Sequence, residues 1–517
     1  MRTDSIFYFL RDITMNTSLS SSAGASRSSS RRHSLTLGAL AATLIGLAGC
    51  TVGPNYVRPE VKTNADYASQ SMLQQRDATR AAPELDAWWQ GFDDPELTRI
   101  ISRVMAQNLD LAAAMARVDQ ARAAAREAGA QLAPQGSLDG QVVQQHQSTK
   151  VPLGEIASQT PGYKRSQTLE TLGVGASWEL DLAGGLHRGA EAADAEAQAA
   201  EASQDGVRVS VAAEAADSYF QVRGAQERIR LAQQQIDTES QLLELVKDRL
   251  AGGLATSREV AQAQALVLQA KTTLPPLRIT LAQQLNRLDV LMGAAPGTYA
   301  AELKDQAPAF TVPVIGTDGG PDMLLRRRPD VIAAERKLAA SNARIGVAVA
   351  EYYPKVSLGG LLGFESLQSG SLFSSQAFQP QAVLGLHWRL FDFGRVDAEV
   401  AQAKGANAEA LAQYRQSMLR ATEDVENAIV SLAELETQHR DLILEVQAHV
   451  QARDAAQDAY KGGAVSLIEV LDEDRQLLTS RDQLARVHAD DARAAVATFR
   501  ALGGGWSGSE AKDVAAR

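Results

Sequence analysis

A single cysteine, Cys50, serves a chain of 517 residues, so no disulfide can hold the fold. Aromatic residues make up only 5%, which argues against a compact enzyme core, normally built on aromatic mass. Basic residues are outnumbered, and a formal charge of -11 argues against nucleic acid as a partner. Motifs of catalysis and metal binding are missing too: there is no zinc-protease pair, phosphate loop, nucleophile elbow or paired-cysteine site. The histidines, among them His146, His187 and His387, are scattered, and Gly359-Gly360 and Gly503-Gly504-Gly505 lack the strand-to-helix setting that nucleotide phosphates need. The sequence therefore points to no enzyme, metal or cofactor. Alanine and glutamine fill long charged stretches with little glycine or proline, and these predict extended helices.

Cys50 itself predicts the compartment. Ser34 to Gly49 is a short, small-residue apolar run behind Arg31 and Arg32, and it ends in Leu47-Ala48-Gly49-Cys50. Basic flank, apolar core and small-residue exit in that order make a secretory signal. The core is shorter than the roughly 20 apolar residues of a spanning helix. Its ending resembles the bacterial lipobox, whose cysteine is lipidated and becomes the first mature residue; the alternative is a buried structural cysteine. The lipobox implies a covalent N-acyl and diacylglycerol lipid on Cys50, and Thr51 in place of aspartate implies sorting to the outer membrane. Residues 1–49 are thus expected to form a signal peptide, with Met15 as an alternative start, and residues 50–94 a lipid-linked N-terminal segment.

The remainder repeats one plan. Asp110, Ala123, Ala128, Pro134, Ser137, Leu138 and Gly140 recur at one offset as Asp330, Ala343, Ala348, Pro354, Ser357, Leu358 and Gly360. Trp178, Leu180, Gly184, Asp248, Gly252, Gly253, Glu259 and Val260 recur at a shorter offset as Trp388, Leu390, Gly394, Asp458, Gly462, Gly463, Glu469 and Val470. One loop has therefore shortened in the second copy. Each copy reads helix, strand, loop, strand, long helix, glycine turn, helix, over residues 95–300 and 322–503. Residues 301–321 link them, and residues 504–517 are expected to be a flexible tail. The first helix is predicted from Pro95 to Leu132, stopped by Pro134, and the long helices from Arg188 to Leu250 and Val396 to Tyr460. Helices that long belong to coiled-coil-like assemblies.

Leu172, Val174, Ala176, Trp178, Leu180 and Leu182 alternate with Gly173, Gly175, Ser177, Glu179 and Asp181. Ala382, Leu384, Leu386, Trp388 and Leu390 alternate likewise, Val356 to Phe364 fits the pattern, and Gln135 to His146 fits it poorly. Such alternation over about ten residues marks a strand with one apolar face, of membrane-barrel length; strands of a soluble sandwich are the alternative. Four strands are too few for a closed membrane barrel, so spanning requires an oligomer.

The chain resembles the TolC-like outer-membrane efflux proteins, in particular the NodT-like lipoprotein branch paired with resistance-nodulation-division (RND) pumps. The residues that carry the likeness are Cys50-Thr51-Val52-Gly53-Pro54-Asn55-Tyr56, Trp88-Trp89 with Phe92, Asp94-Pro95 and Leu97, and Asn108-Leu109-Asp110-Leu111. Leu325-Arg326-Arg327-Arg328-Pro329-Asp330, Ala343-Arg344-Ile345-Gly346 and Ala501-Leu502-Gly503-Gly504-Gly505-Trp506 complete them. The resemblance implies a mixed α and membrane β fold: a homotrimer with a twelve-stranded outer-membrane barrel on a long periplasmic helical barrel, belted where Ala307 to Pro321 would lie. It further implies that the tips dock a periplasmic adaptor through Arg249, Leu250, Gly252, Gly253, Leu254, Ser257, Tyr460, Gly462, Gly463, Ala464 and Ser466. Glu469 and Asp472, three apart on one helix face, would form a constriction of carboxylates, and Asp472 with Arg475 a gate; a solvated charged face is the plainer reading. The implied service is passive export of drugs or other small toxic compounds delivered by an inner-membrane RND transporter. A non-transporting envelope scaffold, or a duct for protein secretion or metal export, remain as alternatives.

Overall fold

The computed structural model describes residues 51–60, 66–74, 82–303, 310–316, 320–367 and 370–507. The expected signal peptide, Cys50, part of the linker and residues 508–517 lie outside them. Asp94 starts the first helix, α1 (Pro95–Gln107): its Oδ1 accepts from the amides of Glu96 (2.9 Å) and Leu97 (3.3 Å), and proline follows in the first turn. The single helix expected to Leu132 is in fact two. Asn108 takes an extended backbone, and its Oδ1 accepts from Asp110 and Leu111 to start α2 (Leu109–Ala130). Its Nδ2 donates to the Leu291 carbonyl at 2.9 Å, so the break is also a tertiary joint.

Four antiparallel strands follow the order β1 (Gln135–His146), β2 (Ser166–Leu180), β3 (Lys355–Ser366), β4 (Phe378–His387). The register aligns the apolar sets of all four: Leu138 faces Val174, Val174 faces Leu362, and Trp178 faces Leu358, which faces Leu384. These side chains are exposed in the single chain, Leu138 by 72%, Leu362 by 64% and Leu384 by 74%. The opposite face carries Asp139, Thr171, Ser177, Glu365 and Gln381 among many glycines. It is crowded: a Cβ on Gly173 would lie 3.2 Å from the Gly363 Cα. β1, poorly patterned, pairs along its whole length with β2, which starts earlier than Leu172 because polar residues Ser166 to Gln167 extend the ladder. β4 ends before Trp388 and Leu390, which lie past it.

Beyond the sheet run α3 (Gly185–Ala251) and α7 (Arg395–Lys461), 67 residues each and so roughly 100 Å long. α3 returns through α4 (Ser257–Thr272) and α5 (Leu274–Leu291), separated at Leu274-Pro275-Pro276, where proline cannot donate to the helix ladder. α6 (Pro329–Ala350) packs on α3 and α7, and α7 returns through the unbroken α8 (Leu467–Ala501). The duplication extends to single contacts: Trp178 Nε1 donates to Leu132 O at 2.9 Å, and Trp388 Nε1 to Tyr352 O at 3.0 Å.

The few aromatics are concentrated where α1, α3 and α8 meet the 3-10 segment Leu85–Phe92. Trp88 stacks on Phe499, Phe92 on Phe220, and buried Tyr219 donates to Asp94 Oδ2 at 2.5 Å. Of the tail expected from residue 504, the first residues are packed: Gly504 to Trp506 are buried, and Gly505 N donates to Leu85 O at 2.8 Å. At the other end, residues 51–60 strap α3 to α6. Buried Arg188 donates to Val52 O (3.2 Å) and Asn55 Oδ1 (2.6 Å), and Tyr56 donates to Glu335 at 2.5 Å. Val52 N donates to Ala183 O, which places the residues just after Cys50 at the junction of sheet and helices.

Candidate functional site at the helical tips

Both long helices end in the same turn. Gly252 N donates to Asp248 O, Gly253 N to Leu250 O and Leu254 N to Arg249 O; Gly462, Gly463 and Ala464 repeat this with Asp458, Tyr460 and Ala459. Gly253 and Gly463 hold φ of 70° and 76°, which a residue with a Cβ resists. Capping boxes then open the return helices, Thr256 with Glu259 and Ser466 with Glu469. Glu469 Oε1 accepts from Ser466 N and Oγ at 3.4 and 3.3 Å, so its carboxylate is turned back to its own helix start, as is that of its repeat counterpart Glu259.

Of the residues expected at the docking surface, Leu250, Gly252, Gly253, Leu254, Ser257, Gly462, Gly463, Ala464 and Ser466 are exposed. Tyr460 is not: it is 4% exposed, with the Arg249 guanidinium 4.4 Å above its ring and Arg249 Nη1 donating to its carbonyl. The pair joins the two tips, because Tyr460 belongs to a small core with Leu242, Val246, Leu467, Val470 and Leu471. Ile468, missed in the sequence, is 52% exposed, as Leu254 is 73% on the other tip; an apolar residue two places after a cap residue in an otherwise amphipathic helix was the available signal.

Asp472 and Arg475 are exposed and pair with each other at 2.6 Å, with Gln476 donating to Asp472 at 3.0 Å. An exposed pair on one helix adds little to stability, so both side chains are free to be used elsewhere. One turn above the tip core, Glu239 of α3 and Asp474 of α8 are each 3% exposed. Burial and then Asp474 push Glu239 up from 4.5 to about 7, against Gln235 and Arg453. Glu239 Oε1 accepts from Gln235 at 2.5 Å, while its Oε2 has no partner. Burial raises Asp474 as well, with Arg453 3.9 Å away. Among the described residues no group of three or more potential ligands could hold a metal, and no helix is long and apolar enough to cross a membrane.

The outer membrane efflux protein family matches residues 100–294 and 320–504, one match per repeat. The nodulation protein T of Rhizobium leguminosarum bv. trifolii is 30% identical over 473 residues, covering 89% of this chain and 96% of its own. The pyoverdine export outer membrane protein OpmQ of Pseudomonas putida is 33% identical over 424 residues, 81% of this chain and 88% of its own. Among solved structures, the outer-membrane channel OprN superposes with a TM-score of 0.78 at 31% identity, over 88% of this chain and all of the other. The Campylobacter jejuni CmeC outer membrane channel, 22% identical over 90% of this chain and 98% of its own, shares the fold with a TM-score of 0.80. With both repeats matched in order, the chain belongs to the outer membrane efflux protein family.

Proposed function

We propose that three copies of this chain close their sheets into one twelve-stranded outer-membrane barrel, continuous with a helical tube, and form the exit duct of a tripartite RND-type efflux system. The observation that carries this reading is the sheet. β1 and β4 are open edges, and one face carries a continuous apolar band, with Leu138, Val174, Leu362 and Leu384 exposed in the single chain. Lipid forbids unpaired backbone, and closed membrane barrels start at about eight strands, so four must be completed by other copies. The polar, glycine-rich face suits a water-filled lumen, and α3 and α7 supply a tube of roughly 100 Å into the periplasm.

In this reading Cys50 carries the N-acyl and diacylglycerol lipid, an auxiliary hold on a protein whose barrel already spans. The exposed tips, through Leu250, Leu254, Ser257, Ala464, Ser466 and Ile468, receive a periplasmic adaptor that links to an inner-membrane RND transporter. Asp472 and Arg475 re-pair between neighbouring hairpins to close the tube, with Glu469 adding negative charge at its mouth. The cargo is drugs or other small compounds, passed without catalysis; the pyoverdine export relative supports a small-molecule duct. A non-transporting scaffold leaves the duplicated apolar face without a use.

The purified protein in planar bilayers should conduct ions, and replacing both Asp472 and Arg475 by alanine should raise single-channel conductance. A protein that inserts without conducting would overturn the duct; unchanged conductance in the double variant would overturn the gate alone.

A further inference from the structure

Near mid-length, α3, α7 and α8 leave a groove of about 720 Å³ roofed by Phe310. That is the size of a small-molecule site rather than of a bare packing defect. Its lining is mixed in character. Leu231, Ile443, Val446 and Leu484 make it apolar in part, and the Phe310 ring stacks on His488 at 4.4 Å. His488 in turn lies 5.1 Å from His439. Burial lowers both imidazoles below their ordinary range, so both are neutral at pH 7 and act as polar, uncharged surface.

The charged part of the lining is mostly cationic. Arg223 and Arg230 come from α3 and Arg481 from α8, against one acid in the lining, Glu227. Glu227 is already held by Arg230, whose Nε donates to it at 2.9 Å. Arg481 is in a different position. Burial, Arg453 and Arg230 all press on its charge, and Asp454 and Asp474 offset them only through space, without a hydrogen bond. A half-buried guanidinium without a close counter-ion among the described residues is costly to maintain, and a bound anion would relieve that cost.

We propose that this groove binds a small organic anion with an apolar or aromatic body, its acid group on Arg481 and its body against Phe310, Leu231 and Ile443. Such a ligand bridges α3 of the first repeat to α7 and α8 of the second. It therefore stabilises their packing by mass action.

The test uses the full-length protein in lipid nanodiscs, titrated by equilibrium dialysis with 1-naphthalenesulfonate and, separately, 1-naphthylmethylammonium, with empty nanodiscs subtracted. The sulfonate should bind saturably, one per chain, at least tenfold more tightly than the ammonium. Arg481→Gln should weaken it at least tenfold, since a charge-assisted hydrogen bond is lost. Ile443→Trp, at a partly exposed position that tolerates bulk, should weaken it by filling the groove. Circular dichroism verifies that each variant keeps its helices. No saturable binding up to millimolar probe, equal affinity for the two probes, or undiminished affinity in a folded Arg481→Gln or Ile443→Trp protein would each overturn the proposal.

Discussion

Glu239→Gln offers a quantitative test of how the two repeats are held together just above the tips. In the folded chain the Glu239 carboxyl is moved from 4.5 to about 7, first by burial and then by Asp474. A carboxyl raised on folding binds its proton more tightly folded than unfolded, so its contribution is most favourable below pH 4.5 and is lost as pH rises through about 7. Forcing ionisation there costs about 3 kcal/mol, on the order of a hundredfold in a local opening equilibrium. Glutamine keeps the shape and stays uncharged, so the variant should be protected from the cost only where the wild type is ionised. Hydrogen exchange of amides 232–246 and 467–480 at matched pH reads this directly. At pH 8 the variant should exchange up to about a hundredfold more slowly than wild type, and at pH 4.5 the two should agree. Equal exchange at pH 8 would show instead that the ionised Glu239 carboxylate carries no net cost in the folded chain.

Other substitutions separate capping from packing. Asn108→Ala removes two amide caps and the bond to Leu291 O, and should cost about 1–3 kcal/mol in denaturant unfolding. Gly463→Ala meets no atom within 4 Å but must hold a φ of 76°, so it should lower stability by only about 1 kcal/mol. Gly53→Ala, whose Cβ would fall 2.5 Å from the Gly346 Cα, should displace the strap and expose Arg188 to limited proteolysis; an unchanged cleavage pattern would show that the strap yields.

Much of this fold was legible because it is written twice. Gly252-Gly253 and Gly462-Gly463 marked the reversals, and the alternations around Trp178 and Trp388, with that of Val356 to Phe364, located three strands. β1 was hard to read because Gln144 and His146 fall on its apolar face and Val143 on its polar one, and its partnership with β2 is a tertiary fact. The helix break at Asn108 was hidden by a run that keeps helical composition on both sides, and only the distant Leu291 carbonyl reveals the joint. At the tips, exposure of Leu254 followed from its place in a glycine turn. Tyr460 did not, because sequence cannot show that Arg249 of the other repeat covers it. Glu469 carried two signals, a capping box and an acidic face, and in the single chain it serves as the cap.

In the proposed barrel β1 of one copy pairs with β4 of the next. Cys50 is the only native cysteine, so with Cys50 retained for lipidation, paired cysteines introduced along β1 and β4, such as Gln141→Cys with Gln381→Cys and neighbouring registers, report on that contact alone. Oxidation in isolated outer membranes should give covalent dimers and trimers from at least one register, and nothing larger than a trimer. Chains that remain monomeric in every register, while the protein is folded and membrane-bound, would contradict the shared barrel.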